Sequence, residues 1–133
     1  MVYITGVHAL NLKCSLDTCG DWHQSSLNWI NPPLRESSAS IFGGYGIECN
    51  KLIPYNHDLF NVANHIRAIL DMLSEGNLSY LRGMRNDFIG ESQHVDEMLS
   101  LITKLKHTSH WNKIDSLMRK EYMLKWININ TNS

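Results

Sequence analysis

The apolar residues change their spacing near residue 55. Between residues 57 and 75, Leu59, Val62, Ala63, Ile66, Ile69, Leu70 and Leu73 recur three and four positions apart, which predicts one apolar stripe along a helix. Asp58 near its start suits the helix dipole and Gly76 supplies a stop. On this helix Ile66 is expected in the core and Arg67 in solvent. A second helix is expected over residues 79–88, with Tyr80, Leu81, Met84 and Phe88 as its apolar positions. Gly83 inside it costs about 1 kcal/mol against alanine, so it marks a close approach.

A third helix starts at Ser92, which can cap it, and places Val95, Met98, Leu99, Ile102 and Leu105 on one face. Its acidic residues Asp96 and Glu97 come early and Lys104, Lys106 and His107 late, matching the dipole. A fourth segment starts at Ser109 and buries Trp111, Ile114, Leu117 and Met118. Beyond Arg119 two readings stand: Tyr122, Leu124 and Trp126 alternate as in a strand, whereas Met118, Tyr122 and Trp126 lie four apart as in a helix. Residues 128–133 are polar and expected to fray.

The first 54 residues lack a helical stripe. Residues 2–5, 41–42 and 46–49 combine β-branched or aromatic residues with nearby glycines and read as short strands, while Pro32, Pro33 and residues 37–40 read as loop. The expected fold class is α+β: a short, weakly β and irregular layer over residues 1–54, packed on three to four amphipathic helices over residues 55–127, with a frayed tail at 128–133. A length of 133 residues fits one domain.

Composition narrows the function classes. With 43% hydrophobic and 19% charged residues the chain is globular in kind, not disordered. Twelve basic residues against 13 acidic ones, in similar balance along the chain, leave no basic surface for phosphate neutralisation, so nucleic acid is not an expected partner; Arg82 and Arg85 form at most a local cluster. No run approaches the roughly 18 apolar residues of a membrane span, and residues 1–12 lack the basic start of a leader. A cytoplasmic location follows as an expectation, and the odd count of three cysteines fits reduced thiols there. Asn and Ile, whose codons are AT-rich, are abundant, which suggests an AT-rich bacterial gene.

Residues 14–23 hold the densest chemistry. Cys14, Cys19 and His23 could give zinc three ligands, with Cys49 or His8 as a fourth, although the spacing is not the Cys-x2-Cys of a zinc hairpin. Buried cysteines acting as small hydrophobes are the plainer reading. Cys19 as nucleophile with Asp21 and His23 as an acid/base pair would make a small hydrolase. Arg85 and Asp87 begin a pattern used by helical ribonucleases, but His94 lies too far on, beyond Gly90, so both read as a solvated face. The histidines are scattered: His57 shares a polar face with Asn61 and Asn64, and His107 and His110 read as surface. Residues 43–46 lack the Gly-Lys-Ser/Thr ending of a phosphate loop and read as a turn.

Aromatic residues are the remaining lead. Trp22 and Trp29 lie early, and Trp111, Tyr122 and Trp126 late, while the helices between use aliphatics. Tyr122, Leu124 and Trp126 are expected to bind a protein partner, a second copy, or the chain's own amino-terminal layer. The sequence therefore favours a non-enzymatic protein-binding module, specifically a bacterial antitoxin or immunity-type neutraliser, needing no cofactor. The alternatives are a zinc-stabilised domain using Cys14, Cys19 and His23, and a small hydrolase using Cys19, Asp21 and His23.

Overall fold

A computed structural model describes residues 1–18, 27–87, 89–90 and 92–131. The architecture is α+β, with a four-stranded mixed sheet in the amino-terminal half and helices that include a long carboxy-terminal one. The chain forms two compact units, Met1–Ile69 and Leu70–Ser133.

In the first unit, β1 (Val2–Ile4) and β4 (Phe60–Ala63) pair in parallel at the centre of the sheet. The edge strands β2 (Leu34–Glu36) and β3 (Ile47–Lys51) add antiparallel, giving the order β2-β1-β4-β3. Tyr3, Ile4, Val62 and Ala63 of the central strands are buried, whereas all three residues of β2 are exposed. Pro32 and Pro33 precede this edge strand, where missing N–H donors cost no ladder bond. A short helix, α1 (Gly6–Leu10), follows β1 and buries Ala9 and Leu10.

The stripe read over residues 57–75 is two elements. Phe60–Ala63 is strand, Leu59 is exposed, and the helix α2 is confined to His65–Ser74. Asn64 sets its start: the side-chain Oδ1 accepts from the Arg67 N–H at 2.8 Å, and the backbone oxygen takes the first helical bond from Ala68. Val62 and Ala63 are buried at the end of a strand, and their distance from Ile66 happens to match a helical turn. Ile66 is fully buried as expected, but so is Arg67, which corrects its reading as a solvent residue. Its guanidinium donates to the carbonyls of Gly43 and Tyr45 at 2.7 and 2.8 Å and to the Tyr3 hydroxyl at 2.9 Å, and stacks 5.0 Å from the Tyr3 ring. Residues 41–46 are the turn that supplies those carbonyls, not a strand at 41–42. Gly46 must be glycine here, because a Cβ would stand 2.8 Å from that of Arg67.

In the second unit, α2 ends with Asn77 N–H bonded to Met72 and Gly76 N–H to Leu73, the paired bonds of a glycine-terminated helix. The helix expected over 79–88 is divided: a 3-10 turn at Ser79–Leu81 and α3 (Met84–Asp87) flank Gly83, whose φ of 84° an L side chain rarely adopts. The third helix, α4 (Ser92–Ile102), buries Val95, Met98, Leu99 and Ile102, and the 3-10 turn after it buries Leu105, the whole predicted stripe. The last helix, α5 (Trp111–Thr131), settles the ambiguity after Arg119 in favour of helix and continues into the stretch read as a tail. It buries Ile114, Leu117, Met118, Tyr122 and Trp126 but breaks at Met123, where φ is 50° and ψ −123°.

Candidate functional site

Among the described residues, chemistry gathers at one place in the first unit and open clefts lie along α5 in the second. In the first, the loop after α1 carries Cys14 and Thr18 and is pinned at several points. Asn11 Nδ2 donates to Val7 O, the Ser15 amide and hydroxyl both donate to the Glu48 carboxylate on β3, and Lys51 Nζ donates to Lys13 O at 2.8 Å. Lys51 also pairs with Glu48 at 2.8 Å. Partial burial raises the Glu48 carboxyl, and the bonds from Lys51 and Ser15 outweigh it, leaving it below its ordinary range.

Onto this loop α2 projects its first residue, His65, which is fully buried. Nε2 faces the carbonyl of Leu12 at 2.7 Å, so it carries a hydrogen and donates. Nδ1 of the neutral ring then accepts from the Thr18 hydroxyl at 2.5 Å. The same hydroxyl oxygen lies 3.8 Å from the Cys14 sulfur. Cys14 is half-buried; burial raises its thiol, and hydrogen bonding to His65, with the positive charge that ring carries once it takes up a proton, outweighs the rise, lowering it from 9.0 to about 7.

This arrangement redistributes the residues picked out from sequence. Cys14 joins Thr18 and His65, neither of which the sequence singled out. Cys49 is an exposed free thiol on β3. His8 is engaged otherwise, its Nε2 3.1 Å from Asn28 O and its ring edge-on to Trp29. Cys19, Asp21 and His23 lie outside the described residues, as does Trp22. Among the described residues no group of three or more His, Cys, Asp or Glu side chains could hold a metal ion. The signal that could have found His65 is its spacing to Ile69 and Met72, both buried.

In the second unit the aromatic segment divides. Trp126 is fully buried, with its indole N–H donating to Asp115 at 2.8 Å and its ring 5.7 Å from that of Trp111. Asp115 is also held by Arg119, one turn on. Tyr122 is buried, its hydroxyl donating to Ile89 O at 2.9 Å; burial, helped by the Glu121 charge, raises that hydroxyl well above its usual range. Leu124 points the other way and is 72% exposed, beside Met123 at 60%. Both line an open cleft of about 430 Å³ with Arg85, Val95, Tyr122 and Lys125. A second cleft, about 510 Å³, runs along the first half of α5 and brings Arg82, Lys113 and Lys120 around Leu78 and Leu117.

No protein family, curated protein or solved structure matches the chain. Among the described residues no helix is long and apolar enough to cross a membrane.

Proposed function

We propose that the chain is a protein-binding module that presents the break in α5 to its partner. One observation carries this reading: Met123 and Leu124 are consecutive large apolar residues, both mostly exposed, at a backbone break beside an open cleft. A non-glycine residue at φ 50° and ψ −123° costs about 1–3 kcal/mol, and such strain collects where a surface is used. Of the aromatic segment, Leu124 is the contact residue and Tyr122 lines the same cleft, while Trp126 belongs to the core. On the rim Lys125 is paired with Asp96 at 3.1 Å and the Arg85 amide donates to Glu121, so the surface offers a partner the apolar pair Met123 and Leu124 more than a net charge. A bacterial antitoxin or immunity-type neutraliser is the specific form suggested by chain size and composition.

A photo-crosslinking residue in place of Leu124, introduced in the native host, tests this. A discrete adduct is expected, lost when Met123→Asp is added, and absent when the crosslinker replaces exposed Ile30 instead. An adduct of twice the chain mass makes the partner a second copy. No adduct at position 124, in a chain whose circular dichroism is unchanged, contradicts the proposal.

A further inference from the structure

The cluster at the start of α2 belongs to the other unit and is independent of the binding surface proposed above. We propose that Cys14 is a reactive thiol that exchanges with low-molecular-weight disulfides, with Thr18 and His65 receiving the proton from its sulfur. The directions of the hydrogen bonds carry the argument. His65 Nε2 is committed to the Leu12 carbonyl, which leaves Nδ1 as the basic nitrogen, and Nδ1 faces the Thr18 hydroxyl. That hydroxyl is both donor and acceptor, so it can pass a proton from the sulfur at 3.8 Å to the ring.

Access differs along the same path. Cys14 is only partly buried, whereas the imidazole is fully buried and so reaches a disulfide only through the thiol. Among the described residues the other charged groups on or against the loop are Glu48 and Lys51, paired at 2.8 Å and holding Ser15 and the Lys13 carbonyl, and the exposed side chains of Lys13 and Asp17. Among the described residues His65 is therefore the buried titratable group that bears on the thiol, in keeping with the lowering of Cys14 to about 7.

The exchange balances without a further reagent. The S–H bond of Cys14 breaks and its proton moves through the Thr18 hydroxyl to Nδ1. The sulfur's electron pair forms a bond to the near sulfur of the disulfide, whose S–S bond breaks with its pair leaving on the far sulfur. That thiolate takes up the proton. Cys14 is oxidised to a mixed disulfide and the small disulfide is reduced to one free thiol.

Oxidised glutathione is the probe, with site occupancy read by peptide mass mapping at pH 7.0 for the native and the urea-unfolded chain. At that pH a thiol at about 7 is roughly fifty times more ionised than one at 9.0; the lower nucleophilicity of a weaker base takes back about eightfold, at a Brønsted slope of 0.4–0.5. Native Cys14 is thus expected to react about sixfold faster than in the unfolded chain, while exposed Cys49 in the same sample changes little. Thr18→Val and His65→Gln bring the Cys14 ratio to about one or below, and Thr18→Ser restores it. Native Cys14 reacting no faster than in the unfolded chain overturns the proposal, and this comparison needs no variant to fold. A Cys14 rate that survives both Thr18→Val and His65→Gln in folded protein overturns the role of the two residues.

Discussion

The two units are ordered by different means. In Met1–Ile69, two fully buried polar side chains at the start of α2, His65 and Arg67, tie together a loop and a turn that have little regular structure of their own. In Leu70–Ser133, order comes from aliphatic faces: Val95, Met98, Leu99 and Ile102 on α4, and Ile114, Leu117 and Met118 on α5. A buried cation with three oxygen partners fixes particular atoms, whereas an apolar face fixes only a side of a helix. The first unit accordingly holds the candidate thiol site, where bond directions matter, and the second holds the two open clefts along α5.

The largest expected effect breaks the polar arrangement. Arg67→Ala leaves the Gly43 and Tyr45 carbonyls and the Tyr3 hydroxyl without their donor, and should cost on the order of 3–5 kcal/mol, read by urea denaturation through amide signals of the first unit. Arg67→Lys should recover little of it, because one ammonium cannot span the acceptors of a planar guanidinium. The matching cut in the second unit, Met98→Ala, removes only apolar contact and should cost about 2–5 kcal/mol with no dependence on a bonding partner.

Smaller changes sharpen the contrast. Asn64→Ala removes the cap that starts α2 and should cost about 1 kcal/mol, shown by a lower urea midpoint and faster exchange of the Arg67 amide. Met123→Gly should leave stability unchanged or raise it by up to about 1 kcal/mol, since the exposed side chain adds little and glycine accepts a positive φ; a clear loss would mean that the break is not strained.

The sequence was legible where burial follows a period. The α4 stripe was readable residue by residue, whereas after Arg119 strand and helix spacing stood equal and only the fold decides for the four-residue spacing of Met118, Tyr122 and Trp126. It was not legible where burial depends on a partner far along the chain. Nothing in the local pattern distinguishes Arg67 from a solvent-facing arginine, because its acceptors are backbone carbonyls at Gly43 and Tyr45. The edge strand β2 carries no apolar alternation, since all three of its residues are exposed and only its pairing to β1 defines it. The candidate thiol site shows the same limit: Cys14 stood out by residue type and Thr18 lies four residues on, but His65 joins them only through a contact across 47 residues.

Amide hydrogen exchange on the Arg67→Met variant is the most direct test of the claim that buried polar groups order the first unit. The substitution keeps an unbranched side chain and removes the guanidinium. Protection is expected to fall across residues 43–47 and β1 while α4 and the first half of α5 keep theirs. Unchanged protection at residues 43–47 and β1 would contradict that claim.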